Sequence, residues 1–307
     1  MMKYSFLVLF FYSLMQAQPV ELKAGRVVRI SDFASKLITP RNVDVWLPDG
    51  YTESQKYDVL YMHDGQMLFD PESTWNKQAW EVDDIAHALI KSGQVKPFIV
   101  VGIWNNPGMR HQEYFPQKVF ESMTVEQQKL VSDEYLNLKK ISEPFKPVSD
   151  AYLKFIVTEL KPYIDSHFSV FTDQSHTFII GSSMGGLISM YAYCEYPKVF
   201  GGAACMSTHW TGIYRNENNP VPEAMRNYLQ THLQPEAGRK IYFDYGDQTL
   251  DSLYAPWQKK VNEFLKAKGF TPKNAMSQFF PGENHSEEAW KKRLDIPLTF
   301  LLGNAKQ

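Results

Sequence analysis

Three side-chain types in this sequence, a serine, a histidine and an aspartate, stand at positions from which they can act on one substrate. Ser183 lies at the centre of GSSMG, residues 181–185, which has the G-x-S-x-G pattern of a nucleophilic serine. A serine hydroxyl is a poor nucleophile until a base takes its proton. His285 supplies a side chain that titrates near neutral pH, and a carboxylate can orient that imidazole and stabilise its cation. These residue types therefore indicate acyl transfer through a serine.

The sequence around Ser183 predicts a strand, a sharp turn and a helix. Residues 177–180 are apolar and partly β-branched, as in a buried strand, and residues 187–192 have the pattern of a helix. Glycines two positions before and after Ser183 relieve crowding in such a turn. The turn also directs the backbone N–H of Met184 to the place where an oxyanion forms. Ser182 is off-centre in the pattern and is not chosen as the nucleophile.

The histidine and the acid follow the serine in the chain, which gives the order Ser, Asp, His of the α/β-hydrolases. His285 comes after a predicted strand, 277–280, and just before Ser286, which is expected to cap the final helix. Asp251 and Asp247 both lie on the loop after the predicted strand 240–244. We favour Asp251 as the acid, with Asp247 as the alternative, and expect the other one to tie down the loop.

A second oxyanion donor is expected after the third strand, residues 58–62. This strand runs into His63-Asp64-Gly65-Gln66, where Gly65 lets the chain turn so that the N–H of Gln66 faces the nucleophile. His63 is expected to be structural rather than the base, because it precedes the nucleophile in the chain.

Two tryptophans are candidates for the substrate-binding wall of a cleft. Trp210 follows the predicted strand 201–206, and Trp104 follows the apolar strand 97–103. His209 is not favoured as the base, because it follows a different strand from the expected one. Residues 116–148 are charged and aromatic without a clear strand, and are expected to be an insertion over the active-site face.

The remaining pattern predicts an α/β-hydrolase fold, a mostly parallel central sheet with helices on both faces. Residues 20–30 and 42–47 are expected to form an antiparallel hairpin at one edge of the sheet. Helices are predicted over 78–89, 151–164 with Asp150 as cap, and 254–268.

Composition excludes several other classes of protein. The 307 residues are 44% hydrophobic and carry a net charge of −2, so neither disorder nor a nucleic-acid partner is expected. The two cysteines, Cys194 and Cys205, lie in apolar contexts and are expected to be free thiols. No zinc-ligand spacing, Walker loop or G-x-G-x-x-G is present, so no metal or organic cofactor is expected.

The N-terminus has the pattern of a secretory signal peptide over residues 1–17. Lys3 provides the positive charge, residues 6–15 are apolar but too few to span a bilayer, and Ala17 suits cleavage. We expect one domain over residues 18–307, in a periplasmic or extracellular space and without a membrane anchor. The sequence gives no indication of the oligomeric state.

Four segments resemble the esterase-D-like branch of the α/β-hydrolases, which includes feruloyl and acetylxylan esterases and siderophore esterases. They are YMHDGQMLFD (61–70), GSSMGG (181–186), YFDYGDQTLD (242–251) and GENHSEEAW (282–290). The resemblance implies Ser183 and His285 as nucleophile and base, and the N–H groups of Met184 and Gln66 as oxyanion donors. In many members the acid stands a few residues past a glycine, and here both Asp247 and the more distant Asp251 follow Gly246.

We therefore expect an exported serine esterase that acts through an acyl-enzyme on small-molecule or polysaccharide esters, with carbohydrate-linked acetyl or feruloyl esters favoured. A siderophore trilactone or a small acyl ester is the alternative within the class, and acyl transfer to an alcohol acceptor is a further one. A catalytically inactive binding protein of the same fold is the alternative from another class, and the intact Ser, Asp and His set argues against it.

Overall fold

Eight strands form one sheet in the computed structural model, which describes residues 22–138 and 143–303. The strands are β1 (Arg26–Phe33), β2 (Arg41–Leu47), β3 (Asp58–His63), β4 (Phe98–Ile103), β5 (Thr177–Ser182), β6 (Gly202–Met206), β7 (Lys240–Tyr245) and β8 (Ala275–Phe279). Their order in the sheet is β1-β2-β4-β3-β5-β6-β7-β8.

The sheet is parallel from β4 through to β8 and antiparallel at its β1 edge. The predicted hairpin at that edge is confirmed, with Arg26 paired to Leu47 at its open end. Because strands β3 to β8 all point the same way, the loops that follow them emerge at one edge of the sheet. This is the edge at which Ser183, Asp251 and His285 are brought together.

Helices cover both faces of the sheet, so the predicted fold class is confirmed. They are α1 (Val82–Lys91), α2 (Arg110–Tyr114), α3 (Gln117–Glu121), α4 (Val125–Asn137), α5 (Ser149–Phe155), α6 (Lys161–His167), α7 (Met184–Glu195), α8 (Val221–His232), α9 (Ala255–Ala267), α10 (Glu287–Lys291) and α11 (Asp295–Leu302). A π-helical turn, Ile156–Leu160, joins α5 to α6.

Alternate residues of the buried strands point to two separate cores, because successive side chains of a strand face opposite sides. Val59 and Tyr61 of β3 belong to the larger core, under α5 to α9. Leu60 and Met62 belong to the smaller one, under α1 and α11. Burial on both faces explains why these strands are nearly continuous apolar runs.

The predicted cap at Asp150 differs from the structure. Helix α5 begins at Ser149 and receives no cap from Asp150; the Asp150 carboxylate instead accepts a hydrogen bond of 2.6 Å from the Tyr191 hydroxyl. The described part of segment 116–148 packs on the larger core, and its placement over the active-site face stays a prediction. Its aromatic residues, among them Tyr135 and Phe145, which stack at 4.3 Å between ring centroids, are buried in the larger core.

The predicted signal peptide lies outside the described residues. Within the described ranges, no helix is both long and apolar enough to cross a membrane. Cys194 and Cys205 are free, as expected.

Candidate active site

Ser183 stands in a strained turn between β5 and α7, with φ 58° and ψ −121°. A side chain at Gly181 would place its Cβ 2.7 Å from the carbonyl carbon of Gly185, so the turn requires glycine there. Two backbone hydrogen bonds fix the position of Ser183. Its N–H donates to the Met206 carbonyl at 2.9 Å, and its carbonyl accepts from the His209 N–H at 3.2 Å. A non-glycine residue in this conformation costs about 1–3 kcal/mol and is retained only where its surroundings enforce it.

His285 and Asp251 are joined by a hydrogen bond of 2.6 Å between imidazole Nδ1 and carboxylate Oδ1. Asp251 is fully buried, and its Oδ2 accepts from the Gly246 N–H and the Ser207 hydroxyl, each at 2.6 Å. Burial by itself would raise the pKa of Asp251, but the hydrogen bonds from His285, Ser207 and Gly246 hold it below its usual value. The carboxylate is therefore ionised at neutral pH and faces the imidazole.

The other candidate acid, Asp247, does not make this contact. Its Oδ1 accepts from the Gly282 N–H at 2.8 Å. This bond ties the loop after β7 to the loop that carries His285. Of the two aspartates that the sequence left open, the structure therefore brings Asp251 to His285 and leaves Asp247 as a loop tie.

Of the two predicted oxyanion donors, Gln66 lines the same cleft as Ser183, and Met184 directly follows Ser183 in the chain. Met184 is the first residue of α7, where an N–H has no partner within the helix. Gln66 lies in the 3₁₀ turn Gly65–Met67 that follows β3. The turn packs so closely on β4 that a Cβ at Gly65 would lie 2.6 Å from the carbonyl carbon of Gly102. The side chain of Gln66 is also fixed, because its Oε1 accepts from the Asn105 N–H at 3.1 Å.

An ion pair that the sequence did not indicate orders the loop before Gln66. Both carboxylate oxygens of Asp64 accept from Arg110, at 2.8 and 2.6 Å, and Asn105 Nδ2 donates to Asp64 at 2.6 Å. Burial opposes ionisation of Asp64, but Arg110 outweighs it and lowers the pKa of Asp64. Since Asn105 and Arg110 both follow β4, 41 and 46 residues from Asp64 along the chain, no local spacing in the sequence could have revealed the contact.

The two other histidines at strand ends are buried. His63 Nδ1 lies 2.8 Å from the Tyr152 hydroxyl, and burial lowers the pKa of His63 to about 3. His209 Nδ1 lies 2.7 Å from the Tyr254 hydroxyl, and burial, with His285 nearby, lowers the pKa of His209 well below its usual value. Both are neutral at pH 7. The Tyr254 side chain also lies near the Ser183 side chain, a neighbour that sequence patterns gave no means of finding.

A cleft of about 690 Å³ opens over Ser183 and His285. Three tryptophans line it: Trp75, Trp80 and Trp290. Trp75 is 85% exposed, whereas Trp80 and Trp290 are almost fully buried and pack on each other at 5.5 Å between ring centroids.

The tryptophans predicted to bind substrate, Trp210 and Trp104, do not line the cleft. Trp210 is buried in the larger core, with its indole N–H bonded to Gln258 at 2.9 Å. Trp104 lies under the Arg29 guanidinium and donates to Asp44 at 2.8 Å. Both follow strands at the correct edge of the sheet, but their side chains pack away from the cleft.

No three histidine, cysteine, aspartate or glutamate side chains are grouped so as to hold a metal ion within residues 22–138 and 143–303.

The fold and the cleft are those of an α/β-hydrolase, and comparison with known proteins identifies the family. The model of the family described as "Putative esterase" matches residues 34–300. The chain therefore belongs to this esterase family and is a carboxylic ester hydrolase.

Curated relatives match most of the chain at low identity. YbbA of Bacillus subtilis (strain 168), an uncharacterized protein, is 24% identical over 270 residues, which are 86% of this chain and 93% of YbbA. An endo-1,4-beta-xylanase/feruloyl esterase of Xylanibacter ruminicola is 23% identical over 280 residues, 90% of this chain but only 31% of that protein.

Solved structures share the fold. A ferulic acid esterase superposes with a TM-score of 0.62 at 20% identity, covering 91% of this chain and 98% of that chain. An IroE-like serine hydrolase from Shewanella oneidensis has a TM-score of 0.64 at 16% identity, covering 90% of this chain and 79% of that chain.

Proposed function

We propose that the protein is an exported serine esterase in which Ser183 is the nucleophile, His285 the base and Asp251 the acid. The observation that carries this proposal is the buried Asp251 carboxylate, bonded at 2.6 Å to the imidazole of His285, in the same cleft as the strained Ser183. An ionised acid on Nδ1 leaves Nε2 of His285 unprotonated and able to accept a proton.

In the first half of the reaction Ser183 Oγ attacks the ester carbonyl while its proton passes to Nε2 of His285. Catalytic hydrogen bonds of this kind, here between the Ser183 hydroxyl and the imidazole, commonly tighten only when substrate binds. The carbonyl oxygen becomes an oxyanion that accepts hydrogen bonds from the N–H groups of Met184 and Gln66. The imidazolium then gives its proton to the leaving alcohol, and the acyl group stays on Ser183.

In the second half water replaces the alcohol. His285 takes a proton from the water as its oxygen attacks the acyl-enzyme, and returns that proton to Ser183 Oγ as the acid is released. Throughout, Asp251 remains ionised and stabilises the imidazolium. The products are one alcohol and one carboxylic acid for each ester and water consumed.

The favoured substrates are acetyl or feruloyl esters linked to carbohydrate. The relative from Xylanibacter ruminicola, whose description names feruloyl esterase, supports this choice. The size of the cleft, about 690 Å³, and its three tryptophans also support a substrate larger than a simple acetate. A siderophore trilactone and a small acyl ester remain as alternatives for the panel of esters below.

The first test is hydrolysis of an ester panel by the protein from residue 18 onward. The panel contains p-nitrophenyl acetate and longer acyl esters, methyl ferulate, acetylated xylan and a catecholate trilactone. Wild type should turn over one of them well, and Ser183→Ala should lower kcat by about 10⁴-fold or more.

A fluorophosphonate probe separates the enzyme from a binding protein of the same fold. The probe should label wild type and leave Ser183→Ala unlabelled. Equal behaviour of the two proteins, with no hydrolysis by either, would show that the fold serves binding. An acceptor-dependent ester product in place of free acid would indicate acyl transfer.

Export is proposed from the sequence of residues 1–17. Expression of the full chain should yield an N-terminus near Gln18 in the periplasm or the medium, which mass spectrometry can read. Recovery of the intact N-terminus in the cytoplasm would contradict it.

A further inference from the structure

The turn that follows β6, residues 206–209, holds the candidate nucleophile and the candidate acid together. Its two ends bind the backbone of Ser183, through the Met206 carbonyl and the His209 N–H. Its second residue, Ser207, is fully buried and has a positive φ of 39°. A non-glycine residue in this region indicates a turn that its surroundings enforce.

The Ser207 hydroxyl makes three hydrogen bonds, which use all its capacity to donate and accept. It lies 2.6 Å from Oδ2 of Asp251, 2.9 Å from the indole nitrogen of Trp290 and 2.9 Å from Nη2 of Arg293. An indole N–H and a guanidinium can only donate, and an ionised carboxylate can only accept. The direction of each bond is therefore fixed: the Ser207 proton points to Asp251.

Behind Ser207, a second carboxylate balances the guanidinium. Arg293 donates to Oδ1 and Oδ2 of Asp244 at 3.0 and 3.2 Å, and the N–H of Ser207 donates to the same Oδ1 at 2.9 Å. Nη2 of Arg293 is 3.9 Å from Oδ2 of Asp251. Because Asp244 compensates the positive charge, the short hydroxyl bond is the direct polar contact between this cluster and Asp251.

We propose that Ser207 is a positioning residue that sets the proton affinity of Asp251, and through it that of His285. The proposal rests on the roles proposed above for Asp251 and His285. A donor on Oδ2 stabilises the carboxylate and draws its charge away from Oδ1, the oxygen that faces the imidazole. Without the Ser207 hydroxyl, Asp251 binds the Nδ1 proton of His285 more strongly, and the imidazole becomes more basic.

Other charged and titratable groups also face this pair. Asp244 lies on β7, Arg293 on the connection between α10 and α11, His209 on the turn after β6 and Tyr254 at the start of α9. None of these residues is itself replaced in a substitution of Ser207, and Arg293, which loses one acceptor, keeps its two bonds to Asp244.

The test compares Ser207→Ala with Ser207→Gly. Both remove the hydroxyl, but only glycine relieves the positive φ, so an effect shared by the two variants belongs to the hydroxyl and a difference between them to the backbone. Ser207→Cys keeps the volume and a weak donor, and serves if the smaller variants fold poorly. Thr177→Val is the matched control, since it removes a buried hydroxyl that bonds the Asp173 carbonyl at the opposite end of β5.

The measurement is the pH profile of kcat/KM for p-nitrophenyl acetate. The acid limb of this profile reports protonation of the catalytic base in the free enzyme. In Ser207→Ala and Ser207→Gly the limb should move to higher pH by about half a unit, a roughly three-fold change in proton affinity. The plateau should fall about ten-fold, because the imidazole is less firmly oriented. In Ser207→Cys the shift should be smaller, and in Thr177→Val the profile should match wild type.

An unmoved acid limb in both Ser207→Ala and Ser207→Gly would overturn the proposal, whatever happens to the plateau, because a purely structural loss lowers the active fraction at every pH. Failure of the proposed function has a different signature. In that case Ser183→Ala or Asp251→Asn would keep the activity of wild type.

Discussion

A histidine and an aspartate occur together at two places along the same edge of the sheet, with opposite arrangements. After β3, Asp64 faces a guanidinium, while His63 is buried against Tyr152 and is held neutral. After β7 and β8, Asp251 faces the imidazole of His285, which also borders the cleft. In the first region the aspartate therefore forms a fixed ion pair with an arginine, and the histidine stays neutral. In the second region the aspartate and the histidine form an acid–base pair.

The partner of the carboxylate explains the difference. A guanidinium stays charged at every relevant pH, so the pair of Asp64 and Arg110 can order the loop before Gln66 but cannot carry a proton. An imidazole gains and loses a proton near pH 7, so the pair of Asp251 and His285 can. Adjacency in sequence, as in His63-Asp64, is thus a poorer guide to acid–base function than the contact across two loops.

The largest effect should separate the two aspartates. Asp251→Asn keeps the shape but removes the charge that fixes the His285 tautomer, so kcat should fall by about 10⁴-fold. Asp64→Asn leaves the guanidinium of Arg110 without its counter-charge and loosens the loop of Gln66, so kcat/KM should fall by a more modest 10- to 100-fold. Steady-state kinetics on the preferred ester measures both.

Each asparagine variant controls for the other, because both replace a buried carboxylate by an amide of the same size. A greater loss of kcat in Asp64→Asn than in Asp251→Asn would reverse the comparison. Circular dichroism should show both variants folded.

The two histidines should differ in what their titration affects. The pKa of His63 is about 3 in the folded protein and near 6.5 in the unfolded chain, so the unfolded state binds the proton in between. The contribution of neutral His63 to the free energy of unfolding is fully present above pH 6.5. It is lost as the pH falls towards 3, by about 1.4 kcal/mol per pH unit. His63→Gln should abolish that part of the slope in denaturant unfolding measured at pH 4.5 to 6.5.

Activity provides the second half of this test. The acid limb of kcat/KM should be the same in His63→Gln as in wild type, because the imidazole of His63 does not border the cleft. An acid limb that moves in His63→Gln would show that His63 titrates in function, and an unfolding slope that the variant leaves intact would show that His63 is not its source.

Sequence patterns predicted what is encoded locally. The turn around Ser183 was predictable because its glycines, strand and helix are contiguous in the sequence. The cap at Ser286 follows from one residue and its helix, and its hydroxyl accepts from the Ala289 N–H at 3.3 Å. The sequence favoured Asp251 over Asp247 but left the alternative open, because the contact that distinguishes them depends on the 3₁₀ turn Thr249–Leu253, which brings the more distant aspartate back to His285.

Contacts between distant loops were beyond such patterns. The pair of Asp64 and Arg110, the hydroxyl of Ser207 and the phenol of Tyr254 each act across at least two elements of the fold. Trp210 was assigned to the wrong environment for a related reason: its place after a strand was correct, but the direction of its side chain depends on the packing partner, Gln258. The cleft tryptophans come from the loop before α1 and from α10 instead.

A smaller effect on activity is expected from Trp75, the exposed tryptophan of the cleft. Hydrogen bonds hold the loop around Trp75, including Asn76 to Glu287 at 2.9 Å and Trp80 N–H to the Met67 carbonyl at 3.0 Å, while the indole itself stays exposed. Such a ring can stack on a sugar or phenolic ring of a large ester. Trp75→Ala should lower kcat/KM for a feruloylated or acetylated oligosaccharide by about ten-fold, equivalent to about 1.4 kcal/mol, and leave p-nitrophenyl acetate unchanged. Equal rates on the large ester would show that the ring plays no part.

The smallest effect should come from Asp247, the aspartate nearer to Gly246 in sequence. Its carboxylate does not contact the imidazole. It accepts from the Gly282 N–H, which ties two loops, and from the neighbouring Gln248 side chain, so Asp247→Ala removes two exposed hydrogen bonds. Such a loss is worth about 0.5–1.5 kcal/mol of stability, and kcat should stay within about three-fold of wild type. Thermal denaturation and steady-state kinetics, run beside Asp251→Asn, measure both quantities. A 10³-fold fall in kcat for Asp247→Ala, with Asp251→Asn still active, would transfer the role of acid to Asp247. It would also contradict the argument that the contact across the loops, and not the distance from the glycine in sequence, selects the acid.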